Sequence, residues 1–576
     1  MLKRLITWSI ENRFIVLVLT AFVVVAGIVA VRRTPLEALP DLSDVQVIIQ
    51  TEHEGQNPQI IEDQVTYPIA SEMLKVPGAQ TVRGYSFFGV SFVYVIFEDG
   101  TDLYWARSRV LEYLSAISGK LPDGAEAALG PDATGLGWIY QYVLEDRSGT
   151  RSLAELRSLQ DWYLRYQLTS VPGVSEVASV GGFEKTYEVT VDPARLRGYG
   201  VPVTRVMQAL QASNQDVGAM MMELSEREYM VRGLGYLGGI EDIENVGLGS
   251  TATGTPIRVA DVATVQEAPD VRRGLADLDG RGDVVGGIVV MRFGENALAT
   301  IDRVKEKLAE LEAGLPEGVV VRPVYDRSEL IRRSIATVER SLTEEFLIVA
   351  LVSLAFLLHA RSALVAIVTL PLAVLMAFIA MRGLGIGADI MSLGGIAIAI
   401  GAMIDAAIVM IENMHKHLER AIDGKRERAR ALGVTLAGDP GGDVLHTRVL
   451  SPKERWDVVM RSSKEVGPAL FFSLLIITVS FFPVFALGAQ EGRLFKPLAW
   501  TKTLSMASAS LLAVTLVPVT MGLFIRGRIH REHTNPVNRV LTRLYRPILE
   551  FVLDHRWSVI GGAVAVLTLT VLPLQR

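Results

Sequence analysis

The chain has 576 residues, half of them hydrophobic, with 57 basic against 63 acidic side chains, a formal net charge of −6 and no cysteine. The negative balance argues against a nucleic-acid binder, whose affinity rests on cationic groups that release counterions from phosphates. Without cysteine there are no disulfides, thiolate metal sites or cysteine nucleophiles, and a mean hydropathy of +0.32 is too apolar for an ordinary soluble enzyme and points to a bilayer.

In chain order, Lys3, Arg4 and Arg13 precede an apolar run, Phe14–Val31, that lacks a small-residue cleavage site and so reads as a retained span. A long polar segment follows, from about Pro40 to Arg332. Val76-Pro77-Gly78 leads into the strand-like Val93–Asp99, and Val171-Pro172-Gly173 leads in the same way towards Tyr187–Asp192. A second echo pairs Ile96-Phe97-Glu98-Asp99 with Arg292-Phe293-Gly294-Glu295; each is followed by a helix that ends in Leu-Pro, at Leu121-Pro122 and Leu315-Pro316. Repeats of helix, Pro-Gly turn and period-two strands predict paired α+β subdomains of split βαβ, ferredoxin-like type.

Six further apolar stretches are expected to cross the membrane: Phe346–Leu358, which is short, then Ala363–Met381, Ile390–Met414, Pro468–Leu487, Leu498–Ile525 and Val559–Leu572. The connecting segments His415–Lys464 and Arg526–Arg556 are rich in Arg and Lys, which places them in the cytoplasm and the long polar segment on the far, periplasmic side. Asn12-Arg13-Phe14 and His555-Arg556-Trp557 open the first and last spans alike. The last span thus reads as the start of a second, similar half, the alternative being generic span-entry chemistry.

The stretch Ser392–Asn413 carries the chemistry. Asp405 lies deep in an apolar span, where an aspartate costs roughly 2.5–3.5 kcal/mol on insertion scales, so its default reading is a proton or ion site facing the bundle interior. Glu412, two turns on, either extends a proton path or is a solvated helix-end residue. On a wheel of about 100° per residue, Met403 and Met410 share a face roughly 140–160° away from Asp405, which separates thioethers from the carboxylate. Gly394, Gly395, Gly401, Ala402, Ala406 and Ala407 allow close helix approach in lipid. No Gly-x-x-x-x-Gly-Lys-Ser/Thr loop is present, which removes ATP as a drive within this chain, and no Ser/His/Asp or metalloprotease pattern supports an enzyme. His415 and His417 at the span end read as solvated, and Met220-Met221-Met222 as packing or surface.

Gly401–Asn413, together with Leu39–Ile49, Gly130–Tyr140 and Gln490–Phe495, resembles the CusA-like copper/silver efflux transporters of the resistance-nodulation-division (RND) superfamily. The resemblance runs from end to end and implies the N-terminal half of such a transporter: an α-helical membrane bundle carrying α+β porter subdomains. It divides the chain into 1–36 (N-terminus and first span), 37–135 (first porter subdomain), 136–332 (second porter subdomain with docking insertion), 333–414 (spans two to four), 415–466 (cytoplasmic loop), 467–526 (spans five and six), 527–556 (cytoplasmic amphipathic segment) and 557–576 (seventh span).

Gly394-Gly395-Ile396 and Asp405-Ala406-Ala407 favour the monovalent branch over the zinc/cobalt/cadmium one. The implied function is proton-driven export of Cu(I) and Ag(I), with the metal as substrate and no permanent cofactor. Asp405 and Glu412 would serve the proton relay, and Met391, Met403, Met410, Met506 and Met521 a methionine ladder. Implied partners are two further copies in a homotrimer, a periplasmic membrane fusion protein, an outer-membrane channel and the inner-membrane lipids. Val271 departs from the family pattern where an outer ladder methionine stands, and the relay's lysine and glutamate partners belong to a second half. A chain with only this half is expected not to pump. Efflux of divalent metals or drugs by the same antiport, or a chain without transport activity, are the competing readings.

Overall fold

The computed structural model describes residues 1–576 except 36, 252, 271–273, 433–443, 532–534 and 575–576. Two four-stranded antiparallel sheets sit between the first two long membrane helices in sequence. The first has the spatial order Ala79–Phe87, Val90–Phe97, Gln46–Glu52, Glu126–Leu129, and the second Val319–Asp326, Trp138–Asp146, Val285–Met291, Val174–Gly181. Numbered along the chain within each unit, these are one order read in opposite directions. Both are split βαβ, ferredoxin-like units, as the repeats predict.

Local sequence explains the first unit. Val93, Val95 and Phe97 alternate inward along one strand. The helix Leu103–Ile117, capped by Asp102 accepting from the Trp105 N–H at 2.7 Å, turns Leu103, Ala106, Val110, Leu114 and Ile117 onto them. Each large apolar side chain fully buried there contributes about 1.5–3 kcal/mol. The Val-Pro-Gly repeat is a turn that needs positive φ, at 78° for Gly78 and 92° for Gly173.

One part of the predicted repeat falls elsewhere. Lys185–Val191 does not occupy the third-strand position of the second unit; it pairs with Ala263–Pro269 in a separate two-stranded sheet. The third strand is Val285–Met291, about a hundred residues further along. Between them an inserted lobe has its own core, including Leu196, Val206, Ile243, Leu248 and Val259, and carries the hairpin Val217–Leu224/Arg227–Gly233. A period-two pattern identifies a strand but not its partner; the true equivalence is the one marked by the second echo, of Ile96–Asp99 with Arg292–Glu295, each followed by a helix.

Among the described residues, five helices are long and apolar enough to cross a membrane, or six if the pair Pro536–Asp554 and Arg556–Thr570, bent by 92°, counts as one. The expected second span, Phe346–Leu358, falls in the distal part of Arg327–Leu357, which is not one of these helices because Arg340, Glu344 and Glu345 interrupt its apolar run; that helix runs without a break from the last strand of the second sheet. Segment 415–466 is largely helical where a loop was expected. The helix Ile390–Ala431 continues past Met414 because Leu418 and Ile422 remain buried and Arg531 reaches Glu419 (3.5 Å) and Asp423 (2.7 Å).

The bundle centres on Ile390–Ala431 packed against Ala489–Phe524, and Gly395 sets their separation. A Cβ there would stand 2.3 Å from Thr501 Oγ1 and 2.5 Å from the Leu498 carbonyl oxygen. Gly394 and Gly401, by contrast, have nothing within 4 Å of such an atom. Gly395→Ala is therefore expected to destabilise the bundle by about 1–3 kcal/mol through overpacking, whereas Gly401→Ala should be neutral. Thermal aggregation of the detergent-solubilised protein checks the contrast, and equal midpoints would remove Gly395 from the contact.

Candidate functional site

Met403, Met410, Met506 and Met521 all lie in the single apolar core of the bundle, at 4 % exposure for Met403 and none for the other three. Gly395 abuts Leu498 and Thr501. Because both helices advance about 1.5 Å per residue from the end near the sheet units, Met403 comes level with Met506. A small cavity beside Met403 is walled by Thr369, Leu370, Ala407, Ala509 and Ala513. Met410 packs towards Gly467, with its Cε 3.5 Å from where a Cβ on that glycine would lie. Met391, one residue into its helix, is half-buried.

Asp405 faces the other way. It shares an uncovered stripe with Ile398, Gly401 and Val409, while Met403, Ile404, Ala406, Ala407 and Met410 are buried. The thioethers and the carboxylate thus occupy separate faces, as the wheel predicts. Glu412 forms an ion pair with Lys416 at 2.7 Å, an exposed i,i+4 pair of small energetic weight. Both line a cavity of about 420 Å³ with Phe356, His415, Glu419 and Arg531. Val271 lies outside the described residues.

The two histidines expected to be solvated have protein partners. His417 Nε2 meets Glu465 Oε2 at 2.5 Å. The Ser362 N–H donates to His359 Nδ1 at 3.2 Å, which makes Nδ1 an acceptor. The Ser362 hydroxyl, 2.6 Å away, must then donate to it as well and accept from His415 Nε2–H at 2.9 Å. This polar chain staples the start of Ala360–Gly383 to the Asp405 helix.

Sequence reasoning did not foresee the junction between the bundle and the sheets. Arg493, near the start of its span, donates to the Leu42 carbonyl (2.9 Å) and pairs with Asp44 (3.0 Å) and Asp99. The Ala388 N–H donates to the Pro35 carbonyl at 2.9 Å, and the Glu37 N–H to the Ala388 carbonyl at 3.0 Å. Asp389 caps the Asp405 helix by accepting from the Ser392 N–H at 2.6 Å. Glu37 accepts from the Ala297 N–H (3.2 Å) and faces Arg327 at 3.5 Å. Burial pushes its carboxyl above the usual range despite that guanidinium. Thr134 Oγ1 donates to Asp41 at 2.7 Å, and Asp132 holds Arg292 (2.9 Å), Tyr104 (3.1 Å) and Ser175. The runs Leu39–Ile49, Gly130–Tyr140 and Gln490–Phe495, scattered in sequence, therefore converge at one end of the bundle. Their polar residues were the available signal.

Burial alone would raise Asp132, but Ser175, Arg292 and Tyr104 outweigh it and hold the carboxyl below its ordinary value. A depressed carboxylate stabilises the fold above its unfolded pKa of about 4 and loses that contribution as pH falls below it. Asp132→Asn should cost about 1 kcal/mol at neutral pH, with the partial exposure of Arg292 taken into account. Thermal midpoints of wild type and variant are expected to converge below about pH 4; an unchanged gap would show that the charge is not responsible.

A model of the AcrB/AcrD/AcrF family matches residues 5–576. The chain belongs to that family. It is 54 % identical over 569 residues to the cation efflux system protein CusA of Escherichia coli (strain K12), covering 99 % of this chain and 52 % of that protein. To the putative cation efflux system protein SilA of Salmonella typhimurium it is 52 % identical over 577 residues, covering all of this chain and 53 % of SilA. A crystal structure of a heavy metal efflux pump superimposes with a TM-score of 0.79 at 31 % identity over 97 % of this chain and 51 % of the pump. This family member is a multi-pass membrane protein with the fold of the heavy-metal RND transporters. It spans about half the length of the curated relatives it matches.

Proposed function

We propose that this chain forms the N-terminal half of a proton-driven exporter of Cu(I) and Ag(I) across the inner membrane. It would work as a homotrimer with a periplasmic membrane fusion protein and an outer-membrane channel. The sheet units would then lie in the periplasm, and the cavity beside Glu412 and His415 would open to the cytoplasm.

The observation that carries this reading is the separation of two chemistries on one helix. Met403 and Met410 are buried on one face, in the same apolar core as Met506 and Met521, and Asp405 stands on the uncovered face opposite. Thioethers are soft ligands suited to Cu(I) and Ag(I). They bind without losing a proton, so inward-moving protons do not compete for them as they would for imidazole or thiolate. An ionised carboxylate facing lipid is costly, which supports a reading in which the Asp405 stripe packs against further protein that supplies its charged partners.

The test is Ag(I) uptake into everted vesicles containing a full-length pump built on this chain, with an acidic lumen. Uptake should follow the pH gradient and stop when an uncoupler dissipates it. Uptake indifferent to the uncoupler would sink proton coupling, and transport of Zn(II) but not Ag(I) would sink the choice of cargo.

A further inference from the structure

Lys502 stands four residues inside the apolar run Leu498–Ile525, and neither the thioether route nor the proton step uses it. A lysine near the end of a span ordinarily lays its stem along apolar surface and keeps its ammonium in water. Lys502 does not: it is 6 % exposed, and a neighbouring protein could only bury it further. An ionisable group enclosed within a span is a functional residue by default.

Its surroundings hold the charge without neutralising it. Nζ lies 2.9 Å from the centroid of the Phe481 ring, just beyond the helix Pro452–Val479. The face of an aromatic ring attracts a cation. Among the described residues Lys502 has no ion pair, and no carboxylate acts on it. A carboxylate would cancel the field of the ammonium, whereas a ring has no net charge and leaves that field standing. Inside the packed bundle, salt screens it little.

The field falls on a methionine. Met506, four residues on, is fully buried and shares the face of the helix, where Cβ atoms at that spacing lie about 5–6 Å apart. A cation held by the Met506 sulfur therefore meets a positive charge about one helical turn away. Coulomb repulsion is proportional to the charge of the ion, so a divalent cation is opposed twice as strongly as a monovalent one. Thioethers discriminate against hard ions, but their softness does not by itself reject a soft divalent ion such as Cd(II). The ammonium supplies that second criterion.

We propose that Lys502 is a specificity-determining residue, which sets the valence of the cation accepted at Met506 and so favours soft monovalent ions over soft divalent ones. This rests on the proposed use of the buried methionines as the cargo route.

Equilibrium dialysis of the whole chain in detergent against Ag(I) or Cd(II) is the test, read as the binding that Met506→Leu removes. Lys502→Leu should fold, because it removes a buried charge that lacks a counter-ion. In that variant Met506-dependent Ag(I) binding should tighten by about tenfold and Cd(II) binding by about a hundredfold, the square of the first factor. Lys502→Gln, polar and uncharged, should give the same pair of factors, and Lys502→Arg, which keeps the charge, should match the wild type for both ions. An equal gain for the two ions, no gain for either, or the same gain in Lys502→Arg would overturn the filter. If Met506→Leu removes no Ag(I) binding in any background, the methionine route fails and the filter with it. The squared dependence without gradient-driven vesicle uptake would refute the proposed export and leave the filter standing.

Discussion

Asp405→Asn in a full-length pump is expected to reduce metal export to the level of membranes without the pump, while insertion and assembly remain intact. Asparagine matches aspartate in size and hydrogen-bonding reach but does not titrate, so only the proton step is removed. Insertion should not suffer, because the variant removes a charge whose presence at mid-membrane costs roughly 2.5–3.5 kcal/mol on insertion scales. The neighbours on the Asp405 stripe, Ile398, Gly401 and Val409, carry no titratable group that could substitute for it. Ag(I) uptake under an acidic-lumen gradient is the measurement, with trimer content checked by native electrophoresis. A variant that still accumulates Ag(I) would show that the coupling group lies elsewhere.

The double replacement Met403→Ile/Met410→Ile should lower Ag(I) export by about tenfold or more, the scale on which even outer-shell changes weaken metal sites. Isoleucine keeps the apolar volume and removes the sulfur. Volume-conserving swaps in a packed core usually cost under about 1.5 kcal/mol, so folding should survive despite the complete burial of Met410. Proton leak should stay at the wild-type level, since Asp405 lies on another face of the helix. Methionine is also a common gap-filler in cores, and Met403 does border a small cavity. Leucine replacements separate the two roles. Full transport in both the Ile and Leu variants at normal protein levels would reduce these methionines to packing, whereas a loss in both at normal levels supports ligation.

The two effects differ in kind. The aspartate variant should bind Ag(I) with ordinary affinity and fail to move it, whereas the methionine variant should respond to the pH gradient and fail to engage the metal. Dialysis of Ag(I) against each protein distinguishes them without any vesicle.

Much of this was legible in the sequence because its signals are local. A run of twenty apolar residues marks a span whatever surrounds it, and the i to i+7 spacing of Met403 and Met410 puts them on one face, away from Asp405, from helical periodicity alone. The Val-Pro-Gly turns disclosed the sheet repeat because a left-handed glycine leaves the same trace each time. Tertiary structure decided what depends on distant partners. It assigned the third strand of the second sheet to Val285–Met291 across an inserted lobe, a choice that strand periodicity cannot make. It gave His415 and His417 partners on other helices, and it drew Arg493 to Asp44 and Asp99 across some four hundred residues of chain. It also buried the Met403 face and left the Asp405 face open. Periodicity says which residues share a face of a helix or strand, but only the packing of remote segments determines which of those faces is covered, and by what.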